Sequence, residues 1–268
     1  MKLVEKEFNL IEILAKTNYQ IVIFKNQNLE NPVAFGSGFF INYKDNLFFI
    51  TADHNIHIED HKINERTGID NHVAILNNIS NKNTLSTLMT PIGGFYYMEK
   101  IDFFNPNKKA ELFDVAISLI NRDKIIAPFV TDEQIQDSEG TIFVKKNEEK
   151  FEFLEEHIVE PNNDDYYFIK GKIRPQFKGL MLHRENAHKE GIQFIEKYGD
   201  YILLKTKEII SDYEDWAGLS GSPVLNQKGE CIGVLCSIIE NSQSIWVKPF
   251  EKIKPFLDVI IMQEQLEK

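Results

Sequence analysis

The segment Gly218–Val224 reads Gly-Leu-Ser-Gly-Ser-Pro-Val, and the rest of the chain is organised around it. A glycine-flanked turn can present the Ser220 hydroxyl while its own amide and a neighbouring glycine amide point at one spot. That arrangement suits a nucleophile with an oxyanion hole. Gly, Ser and Pro also dominate ordinary β-turns. The segment alone therefore leaves a catalytic turn and a structural turn open, and a base and an acid must be found elsewhere.

Composition excludes several classes of function. The 268 residues are 43% hydrophobic, enough for one large domain or two small ones. A formal net charge of −11 repels phosphate backbones, so we expect no nucleic-acid partner. We see no signal peptide and no membrane-spanning run, which predicts no membrane partner. Two separated cysteines and seven scattered histidines predict free thiols, no metal and no cofactor. Free thiols without an export signal predict a cytoplasmic protein.

Many short apolar runs separated by turn residues predict an all-β fold. Apolar residues at helical spacing in 3–16 predict an N-terminal helix, and a second helix is expected at the C-terminus, where Pro255 must lie in the first turns or kink it. Charges and Pro128 in 121–140 predict a linker. The expected organisation is an N-terminal helix in 1–17, a β-barrel in 18–125, a second β-barrel in 126–249 and a C-terminal helix in 250–268.

His54 is the histidine whose surroundings favour a catalytic base. It closely follows the apolar strand predicted at 48–51, whereas the other histidines lie in polar or mostly charged stretches, with His72 a weaker candidate. A serine nucleophile needs such a base within hydrogen-bond reach and a third group that orients the base. The alternative interpretation is a structural histidine that caps the strand end.

Asp114 is the candidate for that third group. It is the single charge in the apolar stretch 112–120, whereas most other carboxylates lie in solvated runs. A carboxylate in such a stretch is costly to bury unless it is paired. The alternative is a strand-end aspartate turned to water, which the apolar run behind it disfavours.

Taken in order, these segments resemble the trypsin-like serine peptidases. Residues 36–41 (Gly-Ser-Gly-Phe-Phe-Ile) and 50–54 (Ile-Thr-Ala-Asp-His) resemble the family's histidine block. Residues 114–117 (Asp-Val-Ala-Ile) resemble the aspartate block, 218–224 the serine block, and 233–237 (Gly-Val-Leu-Cys-Ser) the strand that follows it. The order His, Asp, Ser is the family's own. The resemblance covers about residues 18–250, and the three blocks in order are more specific than any one alone.

The resemblance implies a chymotrypsin-like fold, with two antiparallel six-stranded β-barrels and the site between them. It implies an acyl-enzyme peptidase in which Ser220 attacks the scissile carbonyl, His54 transfers the proton and Asp114 orients His54. The amides of Gly218 and Ser220 would form the oxyanion hole. The absence of the family's disulfides is closer to bacterial intracellular members than to digestive ones.

The resemblance also implies how a protein or peptide substrate is held. Ser237, Ile238 and Ile239 would pair with the extended substrate as an added strand. Glu214, six residues before the serine, would lie at the base of the specificity pocket and favour Lys or Arg before the cut. Asp212 and Asp215 are equal contenders for that place if the alignment slips, and a solvated acidic loop is the alternative.

Two residues depart from the family pattern. Leu219 stands where secreted members carry an aspartate that pairs with a newly cut N-terminus, so activation by that route is not expected. Asp53 stands beside His54 in place of a small residue, and we expect it to point to solvent.

A second class of function is a module with a protease fold that is latent or binds peptides without turnover. An intact triad favours the enzyme. It is also compatible with a latent protease in a regulated defence or signalling system, which a regulatory protein partner would switch on. Residues 57–90 are polar and Asn-rich, which predicts a long loop with one strand at 73–76. That loop and the N-terminal helix could hold such a protease inactive.

Overall fold

A computed structural model of the protein describes residues 8–25, 31–68, 71–81, 84–105, 107–125, 127–178 and 181–266. Strands dominate these residues, and a helix lies near each end. The predicted all-β fold with terminal helices is therefore confirmed. The helices are α1 Leu10–Thr17, α2 Asp53–Ile56, α3 Ile58–Ile63 and α4 Phe250–Leu266. Crossing a membrane needs more length and apolar character than any of these described helices has.

Among the described residues, the N-terminal helix begins at Leu10 and ends at Thr17, the predicted end of this segment. α1 begins after Asn9, whose side chain accepts a hydrogen bond from the amide of Glu12 at 2.8 Å. This N-cap satisfies one of the donors left free at a helix start. The part of the prediction that falls on 3–7 lies outside the described residues. α4 runs through Pro255 as one helix.

The strands, in chain order, are β1 Tyr19–Phe24, β2 Pro32–Tyr43, β3 Asn46–Thr51, β4 His72–Asn81, β5 Thr84–Ile92, β6 Phe95–Lys100, β7 Glu111–Leu119, β8 Ile135–Gln136, β9 Ile142–Val144, β10 Phe153–Leu154, β11 Tyr166–Lys178, β12 Met181–Tyr198, β13 Tyr201–Lys205, β14 Pro223–Asn226, β15 Cys231–Ile238 and β16 Ser244–Pro249. The short pair β8–β9 forms a small sheet of its own. The remaining strands form two larger units.

The first unit is a sheet in the order β5-β4-β1-β2-β3-β7-β6, with β10 added in parallel to β2. It has eight strands among the described residues, where the resemblance implies six. The prediction of a long loop over 57–90 is wrong, because this segment contains α3, β4 and most of β5. β4 and β5 pair along nine residues despite their polar side chains, since backbone groups supply the hydrogen bonds of a hairpin.

The second unit is a closed barrel in the order β11-β12-β13-β16-β15-β14, as predicted for the second half of the chain. Pairing of Tyr167 with Asn226 joins the last strand to the first. Its interior is a cluster of buried apolar side chains that includes Ile169, Ile202, Val224 and Val247. The segment Gly218–Val224 ends at the second residue of β14, so the barrel wall anchors it.

The two units share one core. Phe39, Ile50 and Ile117 of the first sheet pack with Val234 of the barrel and with Leu257 of α4, and all five are buried. Burying apolar area of this kind is the main favourable term in folding. The shared core holds the ends of β3 and β7 beside the turn that carries Ser220.

Strand register brings two predicted site residues together. β3 and β7 are antiparallel, and Thr51 pairs with Ala116. In an antiparallel pair, moving forward along one strand corresponds to moving backward along the other. Two residues past Thr51 therefore come level with Asp114, so the chain enters α2 beside that carboxylate. His54 is the second residue of α2.

Candidate active site

His54 is held by the carboxylate of Asp114 through three contacts. Its Nδ1 lies 3.0 Å from Oδ1 and 2.9 Å from Oδ2, and its backbone amide donates to Oδ1 at 3.0 Å. With the proton on Nδ1 donated to the carboxylate, Nε2 is left as an acceptor. The two sequence predictions, a base after β3 and a buried acid in β7, therefore meet at hydrogen-bond distance.

Neighbouring charges and hydrogen bonds also shift the pKa values of His54 and Asp114. Burial disfavours a charged imidazole, but the charge and hydrogen bond of Asp114, with the charge of Asp53, outweigh burial and raise the pKa of His54 above 6.5. Burial likewise opposes ionisation of Asp114, yet the charge of His54, its hydrogen bonds and the charge of His61 lower the pKa of that carboxyl. Asp114 is 8% exposed, so water screens this attraction little.

Ser220 lies on a turn that is fixed at both sides. Its carbonyl accepts from the Ser37 amide at 2.8 Å and from Asn55 Nδ2 at 2.9 Å, which ties it to the first sheet. The next amide, that of Gly221, donates to the carbonyl of Leu235 in β15 at 2.8 Å. The turn thus bridges the sheet and the barrel, and the shared core limits its movement.

The amides predicted for an oxyanion hole have no competing acceptor among the described residues: neither the Gly218 nor the Ser220 amide donates to another protein group. Gly218 has φ of 107°, a conformation that side chains rarely adopt, and a Cβ there would lie 2.5 Å from the carbonyl oxygen of Lys172. The turn therefore needs glycine at this position. Free amides next to a serine hydroxyl are the donors that an oxyanion hole requires.

A cavity of about 300 Å³ joins the predicted residues. His54, Asp114 and Ser220 line it, as do Ser237 and Ile238 of β15. The hydroxyl of Ser220 makes no hydrogen bond to His54 in this arrangement, a common state of catalytic pairs in the absence of substrate. The structure therefore places all three predicted triad residues, and two of the three predicted substrate-strand residues, around one space. Ile239 follows the end of β15, is 42% exposed and donates its amide to the carbonyl of Ser244.

Glycine is also required at 221, and this gives a test of the turn. Gly221 has φ of 87°, and a Cβ there would lie 2.1 Å from the Ser37 carbonyl oxygen. We expect Gly221→Ala to lower the free energy of unfolding in urea by about 2–4 kcal/mol through strain and overlap. Gly94→Ala is the matched control, since Gly94 has φ of 66° and open space around it. A loss at 221 no greater than at 94 would show that the turn relaxes away from β2.

The predicted specificity residue lies elsewhere. Glu214 is exposed and does not line the cavity, so its carboxylate is not at the base of this pocket. The other contenders, Asp212 and Asp215, both pair with Arg174, Asp212 at 3.4 Å. Instead, Tyr213 and Trp216 line the cavity from this segment. None of the three carboxylates lines this cavity, and two of them pair with Arg174, so this segment gives no reason to expect a preference for Lys or Arg.

The expectation that Asp53 points to solvent is wrong. Its side chain is fully buried and contacts His57 Nδ1 at 2.6 Å, His61 Nε2 at 2.7 Å and Arg66 at 2.6 Å. Burial opposes ionisation, but the hydrogen bonds from both histidines and the charges of His57 and Arg66 lower the pKa of Asp53 to about 2. A fully buried carboxylate is tolerated here because it has this many polar and charged partners.

His61 connects the contacts of Asp53 with the Asp114–His54 pair. It lies 3.8 Å from Asp114 Oδ1 and also lines the cavity. Sequence reasoning placed His57 and His61 in a polar loop. The spacing of Asp53, His57 and His61, four residues apart each time, is the signal that could have found them, because such residues share one face of a helix. Amide hydrogen bonds from His57 to the Asp53 carbonyl and from His61 to the His57 carbonyl carry that spacing across α2 and α3.

Comparison with known proteins finds similarity among solved structures. No family model matches the chain, and no curated protein matches it. Among solved structures, the chain is similar to a serine endoprotease from Yersinia pestis. The match has a TM-score of 0.45 and 12% sequence identity, and it covers 96% of this chain and 68% of that one. The chemistry of the site follows from the contacts described above.

Proposed function

We propose that the protein is a serine endopeptidase that works through Ser220, His54 and Asp114. The observation that carries the proposal is that both Asp114 carboxylate oxygens lie at hydrogen-bond distance from His54 Nδ1, in a cavity that Ser220 also lines. A buried carboxylate that orients a histidine beside a serine on a glycine-flanked turn is the arrangement that activates a hydroxyl nucleophile.

The proposed reaction has two halves, acylation and deacylation of Ser220, and in each half His54 first accepts a proton and then donates it. Ser220 Oγ forms a bond to the scissile carbonyl carbon as its proton passes to His54 Nε2. The amides of Gly218 and Ser220 donate to the carbonyl oxygen as it gains negative charge. The C–N bond then breaks, and the imidazolium gives its proton to the leaving amine. Water then attacks the acyl carbon as His54 takes its proton, the C–O bond to Ser220 breaks, and the imidazolium returns the proton to Ser220 Oγ, while Asp114 stabilises the imidazolium in both halves.

The proposed substrate is a protein or peptide in extended conformation. Ser237 and Ile238 line the cavity at the end of β15, while the opposite side of this strand end pairs with Trp246 and Ile245 of β16. A peptide that adds to the cavity side of β15 would present its carbonyl to Ser220. The apolar and aromatic side chains around this space favour a substrate residue that is not charged.

Labelling with a fluorophosphonate tests the proposal, because this reagent phosphonylates a serine only when a base activates it. We expect the wild-type protein to be labelled and Ser220→Ala to lose the label completely. Ser138→Ala, which changes an exposed serine on a distant turn, should be labelled like the wild type. Labelling that survives Ser220→Ala would show that another residue is the nucleophile. Failure of the wild type to react would count against an assembled site.

The absence of a hydrogen bond between Ser220 and His54 favours one second candidate, a latent form of the same enzyme. A partner that brings the Ser220 hydroxyl into hydrogen-bond contact with His54 Nε2 would then complete the site. In that case the purified protein reacts slowly, and addition of cell extract raises the labelling rate of the wild type but not of Ser220→Ala. A rate that extract leaves unchanged contradicts this candidate.

A further inference from the structure

A second, smaller cavity lies where β1 of the first sheet faces β11 and β12 of the barrel, and its volume is about 30 Å³. Four cationic side chains line it, whereas two acidic side chains do so among the described residues. The lining side chains with a charge are Lys150, Lys170, Lys172, Arg184, Asp132 and Glu133. An excess of two positive charges is notable in a chain whose net charge is −11.

The two carboxylates are shared among three of the cations. Glu133 lies 3.0 Å from Lys170 and 3.4 Å from Lys172, and Asp132 lies 3.3 Å from Lys172 and 2.7 Å from Arg184. Because each carboxylate already faces two cations, it neutralises neither of them fully. Burying charge without full compensation is costly.

Lys150 is the fourth cation, and it pairs with a carbonyl instead of a carboxylate. Its ammonium donates to the Asn18 carbonyl and lies 4.8 Å from the centre of the Tyr19 ring. Burial, together with the charges of Lys172 and Arg184, lowers the pKa of Lys150 to about 8 against the attraction of Asp132 and Glu133. Within the part of the chain that the structure describes, this lysine therefore has no carboxylate in direct contact.

Gln20 supplies an independent observation that points to an acceptor in this cavity. It lines the cavity from β1 and is 5% exposed. Its Oε1 accepts from Arg184, which fixes the orientation of the amide group. Its Nε2 is buried and has no hydrogen-bond partner among the described residues. A buried N–H donor without an acceptor costs about 1–3 kcal/mol, so such donors in native proteins normally have a partner.

We propose that this cavity binds one small inorganic anion of the halide class, with chloride as the physiological occupant. The anion accepts from Gln20 Nε2 and balances the cations contributed by β11, β12 and the segment before β10. About 10–15 Å³ accommodates one water, so this cavity has room for one ion or two waters and not for a polyatomic group such as phosphate. The bound ion joins β1 of the first sheet to the barrel and stabilises their association.

The test is to replace gluconate with chloride at constant ionic strength and follow thermal unfolding of the full chain. An ion that binds only the folded state raises the melting temperature, and we expect a rise of about 2–4 °C once chloride exceeds its dissociation constant several-fold. Arg184→Gln and Gln20→Leu should each lose the chloride response. Lys44→Gln is the matched control, because it removes a lysine from the exposed ion pair with Asp258 and should keep the response.

A crystal grown with bromide gives a readout that does not depend on variant stability. We expect one anomalous peak within hydrogen-bond distance of Gln20 Nε2. The proposal is overturned if this position shows water or nothing, or if the melting temperature does not depend on the identity of the anion. It is also overturned if Gln20→Leu and Lys44→Gln respond to chloride equally.

Discussion

Asp114→Asn is expected to lower the rate of fluorophosphonate labelling by about ten-thousand-fold while leaving the fold intact. An amide at this position donates a hydrogen bond to His54 Nδ1, where the carboxylate accepts one. The proton of the imidazole then moves to Nε2, which can no longer take the proton of Ser220. The measurement is the second-order rate constant of labelling, compared with the wild type at the same pH.

The matched control for this change is Asp258→Asn. Asp258 accepts from Tyr43 and Lys44 on the far surface, so the same change of carboxylate to amide there should leave the labelling rate within about twofold of wild type. A second readout is the pH profile of the residual rate. Because the charge of Asp114 raises the pKa of His54, its removal should move the acid limb to lower pH. A variant that labels within about tenfold of wild type would contradict the role of Asp114.

Asp53→Asn is expected to cost about 3–5 kcal/mol of the free energy of unfolding, which lowers the melting temperature by about 10 °C. The carboxylate holds His57, His61 and Arg66 within a fully buried position. A histidine can lose its proton when its partner is removed, but an arginine cannot. The carboxylates that remain near Arg66 among the described residues, Asp60 and Glu99, are both at 3.5 Å. Urea unfolding of the two proteins measures the difference.

Asp258→Asn again serves as the control, since its carboxylate is 41% exposed and surface ion pairs contribute at most about 1 kcal/mol. Equal losses for Asp53→Asn and Asp258→Asn would show that the buried cluster does not stabilise the fold. The substitutions at Asp114 and Asp53 are also expected to differ in which property they change. Asp114→Asn should lower the labelling rate with little loss of stability, whereas Asp53→Asn should lower stability most.

The pKa of Asp53 sets a pH dependence of stability. The folded-state pKa of about 2 lies below the ordinary value of 3.8, so the carboxylate contributes stability that is fully present above pH of about 4. That contribution, roughly 2 kcal/mol, is lost as the pH falls through about 2. The same acid titration of Asp53→Asn should lack this part of the decline.

Much of the candidate site could be predicted because its signals are local. Each triad residue departs from what its local sequence leads one to expect, which marks it as functional or strained. Ser220 is flanked by glycines, His54 comes just past an apolar strand, and Asp114 is the single charge in an apolar run. Strand register then brings Asp114 level with α2, a relation that follows from antiparallel pairing once β3 and β7 are neighbours. The same reasoning does not reach Glu214, which lies outside the cavity, because a single 3₁₀ turn between strands has no strand register that places its side chains.

By itself, the sequence determined the all-β class, the terminal helices and three of the residues that line the cavity, His54, Asp114 and Ser220. Only the tertiary structure decided the fate of charges whose partners are distant in the chain. The acidic run near Asp212 faces Arg174, and Gln20 of the first sheet meets Arg184 of the barrel. Asp53 likewise turned inward because His57, His61 and Arg66 converge on it. A charged side chain is buried or solvated according to which partners the fold brings into contact with it, and the composition of the chain does not specify those contacts.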